Sequence, residues 1–459
     1  MDRLPILKKN AYLIVLVKDN YIFANLAYTD FVAQRTYLLS DITDLSPLKF
    51  RLDDIVFNKK FWFEYFNALE KEFDWDIVNR EYEDIFKIID FKEEGVGVSG
   101  IKVLVDDNQP FFNNIYKSIK EFSGDVVLRI LDDKYIEGLT KGLLDRLGYD
   151  DILWLDLDLS HFSIYRTNRV SHGSGMFKKE QSSGIQFNSS KIDWNNEIGL
   201  IDFIKSSQLQ AFLSVDSSSE EISDKWANFV AHSCEYIIEP VVNDLLRAFT
   251  TVQNLSTKRE HKDKLEGFGR KDSAIFVTGK LGRLLNNRDL LLSTIDGLEL
   301  EGVFDLFVDN NNTVLTFGKS MTETVETEEI LVLKGDILPK AYKVVIPEIT
   351  SSRSKNKVMF SGKILSQDFE NPKEIYALNP ALEILKLPLG KNKTIVEGSL
   401  KNGAELSHHT SNNIEFLSSI GGVVYEYLVI DCRGKPIVYG PKTYDNKIKL
   451  KLWESGNKE

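Results

Sequence analysis

The chain has 459 residues, of which 42% are hydrophobic and 27% charged, and its formal net charge is −12. This composition is ordinary for a folded globular protein, and the length predicts about three domains. The negative charge argues against a nucleic-acid partner, because binding to phosphate backbones depends on an excess of lysine and arginine. The two cysteines have no metal-ligand or redox spacing, which favours a reducing, cytoplasmic location.

The opening segment predicts a β-hairpin. Two apolar runs flank a Lys-Asp-Asn turn at residues 18–20, which is the pattern of two antiparallel strands. The first run is far shorter than the roughly twenty residues that span a bilayer, so we expect no membrane anchor. Aromatic residues spaced three to four apart then predict a helix near residues 61–69.

From residue 101 the pattern alternates between strands and helices. We predict a strand at 101–106, a helix near 110–122, a strand at 125–131, a helix at 134–147 and a strand from 151. This alternation indicates an α/β architecture. The stretch 167–193, which is rich in Ser, Gly and Asn, predicts an exposed loop.

The second half of the chain changes character near residue 325. Before that point an apolar stripe predicts a helix at 237–249, and a short strand leads into a corner at Thr278 and Gly279. Beyond it, short strands separated by Gly and Pro predict an all-β module, a sandwich or barrel. We therefore predict three domains, at residues 1–150, 151–325 and 326–459.

Two acids interrupt the apolar run that begins at residue 151. Asp156 and Asp158 lie two residues apart, so their side chains point to the same face of a strand. Ligands collect at the carboxyl ends of strands in an open α/β sheet, and two carboxylates there can hold hydrated Mg²⁺ against phosphates. The alternative is a pair of solvated acids at a strand end, and composition alone favours this alternative.

The order of these elements resembles that of the actin and heat-shock-chaperone ATPase superfamily. An opening hairpin is followed by a second hairpin that begins near Asp156, a long helix and the corner at Thr278 and Gly279. The resemblance implies two actin-like, ribonuclease H-like lobes around a cleft that holds ATP and Mg²⁺. It also implies that Asp156 binds the metal, and that Asp158, Thr278 and Gly279 belong to the nucleotide site.

Within that superfamily the sequence is similar to the glutamate mutase L family, whose members are associated with cobalamin-dependent mutases. The similar segments are residues 151–166, 273–285 and 421–440, and the last carries an Asp-x-Arg-Gly-x-Pro pattern at 431–436. On their own, Asp431 and Arg433 lie on one face of a strand. They predict a structural charge pair beside a turn.

The positions that should contact phosphate depart from the family's pattern. Leu16 and Lys18 stand at the Asp and Gly positions of the first hairpin, and Asp158 and Leu159 replace two glycines of the second. Side chains there obstruct the approach of backbone amides to phosphate, and Asp158 adds a negative charge. At the corner, Lys280 replaces a second glycine. The sequence therefore predicts a degenerate nucleotide site.

Three functions follow from the resemblance, and none has a certain cofactor. The first is a non-catalytic actin-like protein, a pseudo-ATPase that acts through contacts with a protein partner. The second is an ATP-dependent reactivating chaperone for a cobalamin-dependent mutase, in which Asp156 orients Mg²⁺ or the attacking water. The third is a filament-forming actin-like protein of the division or pilus type. Loss of the phosphate-contacting residues favours the first.

Overall fold

The fold is taken from a computed structural model, and its contacts group the chain into two compact units. One unit comprises Met1–Gly142 and Asn311–Ile337, and the other comprises Leu143–Asn310 and Leu338–Glu459. The structure describes residues 10–18, 21–30, 35–39, 100–106, 126–157, 161–172, 177–188, 247, 250, 251, 254, 257, 258, 265–269, 272–279, 281, 282, 285–310, 312–316, 338, 339, 341–349, 356–369, 371–388, 394–406, 411–420 and 423–434.

The first unit contains a five-stranded sheet. Its strands are β1 (Asn10–Lys18), β2 (Tyr21–Asp30), β3 (Arg35–Leu39), β4 (Gly100–Asp106) and β5 (Val126–Leu131). The order is β3-β2-β1-β4-β5, with β1, β2 and β3 antiparallel and β4 and β5 parallel to β1. The predicted hairpin, the two predicted strands and the following helix, α1 (Asp133–Leu147), are confirmed.

The second unit contains most of the remaining strands. They are β6 (Asp151–Leu157), β7 (His161–His172), β8 (Phe177–Asn188), β9 (Ser273–Thr278), β10 (Gly302–Val308), β11 (Ala341–Ile346), β12 (Glu348–Ile349), β13 (Val358–Leu365), β14 (Lys373–Leu378), β15 (Leu382–Lys386), β16 (Ile395–Leu400), β17 (Ala404–Glu405), β18 (Asn413–Leu417), β19 (Ser419–Ile420) and β20 (Val423–Asp431). Helix α2 (Asn287–Gly297) connects β9 to β10.

The five strands β6 to β10 repeat the strand order of the first unit. Their order is β8-β7-β6-β9-β10, with β6, β7 and β8 antiparallel and β9 and β10 parallel to β6. Every residue of β6 and β9 is buried, which is typical of central parallel strands that are covered on both faces. The two units therefore share one strand order, and the expected pair of similar lobes around a cleft stays a prediction.

An aromatic column crosses the centre of this sheet. Trp154 stacks on Phe276 at 5.7 Å between ring centroids, and Phe276 stacks on Phe307 at 4.5 Å. These rings come from three neighbouring parallel strands, β6, β9 and β10. Large buried rings of this kind contribute much of a core's apolar contact. The column therefore forms the apolar middle of the sheet. The polar groups lie toward the two ends of its strands.

The expectation of an exposed loop over residues 167–193 is wrong for most of that stretch. β7 and β8 pair from His161 opposite Asn188 to His172 opposite Phe177, so the polar segment forms a long hairpin. The pairing of β7 with β8 satisfies backbone hydrogen bonds of both strands, and it does so whatever their side chains are. At Gly184 a Cβ atom would lie 2.8 Å from the Tyr165 ring, which shows that this ring packs over the glycine.

The C-terminal region is rich in strands, as expected, but it is not independent of the second unit. β11, β20 and β15 hydrogen-bond in succession to β10 and extend its sheet. A separate four-stranded sheet has the order β14-β13-β16-β18. The ring of Phe360 covers Gly398 in that sheet, where a Cβ atom would lie 2.7 Å from a ring carbon.

A buried network around Asp305 on β10 joins this strand to the C-terminal strands β11 and β20. Tyr149 and Tyr425 both donate their hydroxyls to Asp305 Oδ2, the latter at 2.6 Å, and Lys343 Nζ donates to Oδ1 at 2.8 Å. Burial, followed by the negative charge of Asp305, raises the pKa of both tyrosines, so they stay protonated donors. The network ties β10, β11 and β20 to Tyr149, which lies two residues before β6.

Arg433 forms a second buried network at the end of β20. Its Nη2 donates to Asp296 Oδ1 and to Asp431 Oδ2, both at 2.7 Å, and its Nε donates to Asp431 Oδ1 at 2.8 Å. Burial lowers the pKa of Arg433, but the two carboxylates raise it by more. The predicted pair of Asp431 and Arg433 is therefore present, and Asp296 near the end of α2 joins it.

Some predicted helices lie outside the described residues. They are the helices near 61–69 and 110–122, and all but residue 247 of the one at 237–249. Among the helices that the structure describes, none has the length and apolar character needed to cross a membrane.

We predict that Arg433→Met destabilises the second unit by about 3–5 kcal/mol, because the change leaves two buried carboxylates without their cation. Chemical denaturation of both proteins measures the difference. The matched control is Lys363→Met, which removes an ion pair with Glu397 whose side chains are 44% and 40% exposed, and should cost less than about 1 kcal/mol. Equal effects of the two changes would contradict this account of Arg433.

Candidate functional site

The candidate site lies at the carboxyl ends of β6 and β9. These strands are parallel neighbours, yet β6 connects to β7 on one side while β9 leads through α2 to β10 on the other. Connections that leave in opposite directions create a topological switch point, which is the usual place for a ligand in an open α/β sheet. Asp156 and Thr278 are the last pair in the register of β6 and β9.

A row of buried polar residues crosses the sheet at this edge. Asp156 is opposite Ser163 on β7 and opposite Thr278 on β9, so these three side chains share one face. Asp309 follows β10, and its backbone N–H donates to the Val277 carbonyl at 2.8 Å, which places it beside Thr278. All four polar residues of the row are buried.

Asp156 differs from the expectation of a hydrated carboxylate at a strand end. It is only 7% exposed. The physical reason is its position on a central strand that is buried along its whole length, which is typical of strands covered on both faces. The alternative of two solvated acids is therefore wrong for Asp156. Asp158, its predicted companion in the nucleotide site, lies outside the described residues.

Gly279 packs tightly between the ends of the two strands. It is buried and has a φ of +95°, a left-handed conformation that L side chains rarely adopt. A Cβ atom at this position would lie 2.7 Å from both the backbone N and the carbonyl carbon of Leu157. The close approach of β9 to β6 explains the glycine, and no ligand is needed to account for it.

Helix α2 begins at the same edge with its N-terminus already capped. Asn286 Oδ1 accepts the backbone N–H of Asp289 at 2.9 Å, and Asn286 Nδ2 donates to Asp289 Oδ2 at 2.6 Å. Asn310, at the end of β10, donates to Asn287 Oδ1 at 2.7 Å and holds the first turn of the helix to the sheet. Arg288 lies in that turn and is half-buried.

The side chains at this edge suit the binding of Mg²⁺ better than the binding of a nucleotide's phosphates. Carboxylate and hydroxyl oxygens of Asp156, Asp309 and Thr278 are ligands that Mg²⁺ accepts, and Mg²⁺ uses one or two carboxylates. Within the described ranges, no group of three or more His, Cys, Asp or Glu residues is placed to hold a metal. Phosphate needs backbone amides that are open to it, and Gly279 is buried against Leu157.

Sequence reasoning brought Asp156, Thr278 and Gly279 to one edge, and the structure places them together. It missed Asp309, although the same rule would have found this residue, because Asp309 follows the apolar run of β10 as Asp156 ends that of β6.

A cavity of about 260 Å³ lies at the opposite, amino edge of the same sheet. Gly302 at the start of β10 and Ile346 at the end of β11 line it, together with Phe268 and Leu300. Glutamates, including Glu266 and Glu348, also line it. The cavity is therefore separate from the polar row at the carboxyl edge.

No protein-family model matches the sequence, and the search of curated proteins finds no match. Solved structures do align with parts of the chain. A Ppx/GppA family member from Aquifex aeolicus is 7% identical, with 58% of this chain and 66% of that protein covered, slightly less than two thirds of its length, at a TM-score of 0.24.

Two further alignments cover more of both chains. A Bacteroides thetaiotaomicron protein of unknown function with an actin-like ATPase fold is 8% identical over 68% of this chain and 96% of that one, with a TM-score of 0.29. MreB 5 of Spiroplasma citri is 11% identical over 68% and 96%, with a TM-score of 0.26. TM-scores this low are not evidence of a shared fold. The resemblance to the glutamate mutase L family stays a prediction.

We predict that Gly279→Ala destabilises the second unit by about 2–4 kcal/mol, because it adds backbone strain and a clash with Leu157. The matched control is Gly148→Ala. Gly148 also has a positive φ, +77°, but a Cβ atom there meets nothing within 4 Å, so only the strain of about 1 kcal/mol remains. Urea denaturation monitored by circular dichroism compares the two. Similar losses in the two variants would show that Gly279 is not held against β6.

Proposed function

We propose that this protein is a non-catalytic actin-like protein that acts through contacts with another protein, and that its nucleotide site is degenerate. The observation that supports this most directly is the burial of Gly279 against the backbone of Leu157. In the actin and heat-shock-chaperone ATPase superfamily, which the sequence resembles, this corner receives the adenosine. Here the end of β6 fills the space beside it.

The charges at the same edge support the proposal. Asp156 and Asp309 are both buried beside Thr278, and Asp289 supplies a third carboxylate in the first turn of α2. A phosphate group would have to approach these carboxylates while Asp158 and Leu159 replace the glycines of the second hairpin. Like charges at about 4 Å repel by about 4 kcal/mol at an effective dielectric constant near 20.

A calorimetric titration with ATP and Mg²⁺ tests the proposal. We expect no binding in the micromolar range, because the described acids of this edge are buried and Gly279 is packed against Leu157. The double change Asp158→Gly with Leu159→Gly should bring weak binding into the measurable range, since it removes a charge and two side chains from the predicted phosphate loop.

The matched control for that variant is Asp368→Gly, which removes one acid from an exposed turn far along the chain. It should leave nucleotide binding undetectable. Micromolar binding by the unchanged protein would reject the degenerate site. Weaker binding by the double-glycine variant than by the unchanged protein would mean that Asp158 helps to hold the metal.

The alternative that the resemblance implies is an ATP-dependent reactivating chaperone for a cobalamin-dependent mutase, and the buried row at the switch point offers the oxygen ligands that its Mg²⁺ would need. Asp156 and Asp309 would then hold hydrated Mg²⁺, with Thr278 as an oxygen donor. If the unchanged protein turns over ATP, Asp156→Asn should abolish that turnover while Asp368→Asn leaves it intact. Turnover that survives Asp156→Asn would exclude the role of Asp156 as the metal residue.

A further inference from the structure

The four-stranded sheet β14-β13-β16-β18 has one buried face and one open face. Apolar side chains line the buried face, among them Phe360, Ile364, Ile375, Ala377 and Val396. On the edge strand β14, Tyr376 and Leu378 alternate to the open face, where they are 55% and 45% exposed. The solvent face of an antiparallel sheet normally carries polar side chains. These two apolar neighbours are therefore an exposed patch without a partner, and not scattered single residues.

A row of charged side chains crosses the open face beside Tyr376. The register sets Glu374 opposite Lys363, Lys363 opposite Glu397, and Glu397 opposite Glu415. Glu374 and Glu415 are exposed. Lys363 forms an ion pair with Glu397 at 3.3 Å, and both side chains are about two-fifths exposed. This acidic row therefore holds three carboxylates and a single ammonium group.

The acidic row is not arranged for stability. Glu397 and Glu415 are directly opposite each other on neighbouring strands, and like charges in this position destabilise a sheet. Lys363 already lies between Glu374 and Glu397, and Lys373 alternates to the other face of β14. A lysine at position 415 would turn the repulsion into an attraction. Exposed features that oppose stability in this way are expected at functional surfaces.

The charge of the open face selects the kind of partner that it fits. Next to the acidic row lies a strip of short polar side chains, Ser361, Ser399 and Asn413, with the Tyr376 ring at its end. The same face of a second copy would set acids against acids, and phosphate groups of nucleic acids or lipids would be repelled. Lysines or arginines beside apolar side chains complement both the acidic row and the exposed patch.

We propose that the open face of this sheet docks a basic segment of a partner protein, whose cationic side chains meet the acidic row and whose apolar side chains cover Tyr376 and Leu378. Strands about 4.8 Å apart set Glu374 and Glu415 about 14 Å from each other, so an extended segment reaches both with residues about four apart. The inference rests on the proposed function in assuming a protein partner, and it adds the docking surface and the chemistry of that partner.

The test measures the binding of a fluorescein-labelled peptide by fluorescence anisotropy, without nucleotide or Mg²⁺. Serines separate alternating lysines and leucines in this peptide, so its extended form places every lysine and leucine on one face. One control peptide has glutamate in place of lysine, and another has serine in place of leucine.

The protein variants are Glu415→Lys and Tyr376→Ser, with Glu405→Lys as the matched control. Glu405 is also an exposed glutamate opposite a second one, Glu348, but it lies in the separate sheet of β12 and β17. Glu405→Lys therefore changes the net charge of the protein as Glu415→Lys does and leaves the acidic row intact.

We expect the lysine and leucine peptide to bind the unchanged protein and the Glu405→Lys control equally, and both control peptides to bind more weakly. Glu415→Lys should weaken the binding about threefold to tenfold, because it replaces an attractive charge by a repulsive one, and Tyr376→Ser should weaken it too. Without peptide, Glu415→Lys should raise the melting temperature by about 1–3 °C, since the new lysine faces Glu397.

Four results would overturn the proposal. The first is no binding of the lysine and leucine peptide, or equal binding of the glutamate peptide. The second is an equal loss of binding in Glu415→Lys and Glu405→Lys, which would assign the effect to net charge. The third is a lower melting temperature of Glu415→Lys, which would give this glutamate a structural role. The fourth is self-association in sedimentation that Tyr376→Ser abolishes, which would make a second copy the occupant.

The outcome is independent of the nucleotide site. The calorimetric titration with ATP and Mg²⁺ measures that site without peptide, and the peptide experiment contains no nucleotide. Failure of the docking surface and failure of the degenerate site are therefore distinguishable.

Discussion

β6 and β9 pair in parallel from Asp151 opposite Ser273 to Asp156 opposite Thr278, and the second unit extends outward from this pair. Both strands are buried along their whole length, so each must present apolar side chains to two faces. The same pairing brings Gly279 against Leu157 and sets Asp156 beside Thr278. The packing of the core and the position of the candidate site therefore have one origin.

Two buried networks join the C-terminal strands to this centre. Asp305 accepts from Lys343 on β11 and Tyr425 on β20, and Arg433 connects the end of β20 to Asp296 on α2. Burying charges is costly, and their mutual attraction offsets that cost only when the geometry is good and the hydrogen bonds are made. The pairings therefore favour one register of β11 and β20 over its neighbours. They help to hold β11 and β20 in the large sheet of the second unit.

The carboxyl edge combines features of a ligand site with features of a closed core. The switch point and the row of Ser163, Asp156, Thr278 and Asp309 are where a ligand is expected. Their burial and the packing of Gly279 leave these groups inside the protein.

Much of the fold could be predicted because local patterns decide it. The apolar runs of β1, β4, β6 and β9 and the helical pattern of α1 are visible in the sequence, since each element must bury a face whatever its neighbours are. The order of these elements also predicted Asp156, Thr278 and Gly279 as one site. The polar hairpin of β7 and β8 could not be predicted, because its stability comes from pairing with β6 and not from its composition.

The sequence by itself determined the α/β alternation, the β-rich C-terminal region, the negative charge and the side chains present at the strand ends. The tertiary structure alone decided which of these side chains are buried and which partners they have. Asp156 is buried because it lies on a strand that is covered on both faces, and Asp296 joins Asp431 as a second acid around Arg433. Burial and charge pairing depend on residues far apart in the chain, and no local pattern in the sequence shows which of them become neighbours.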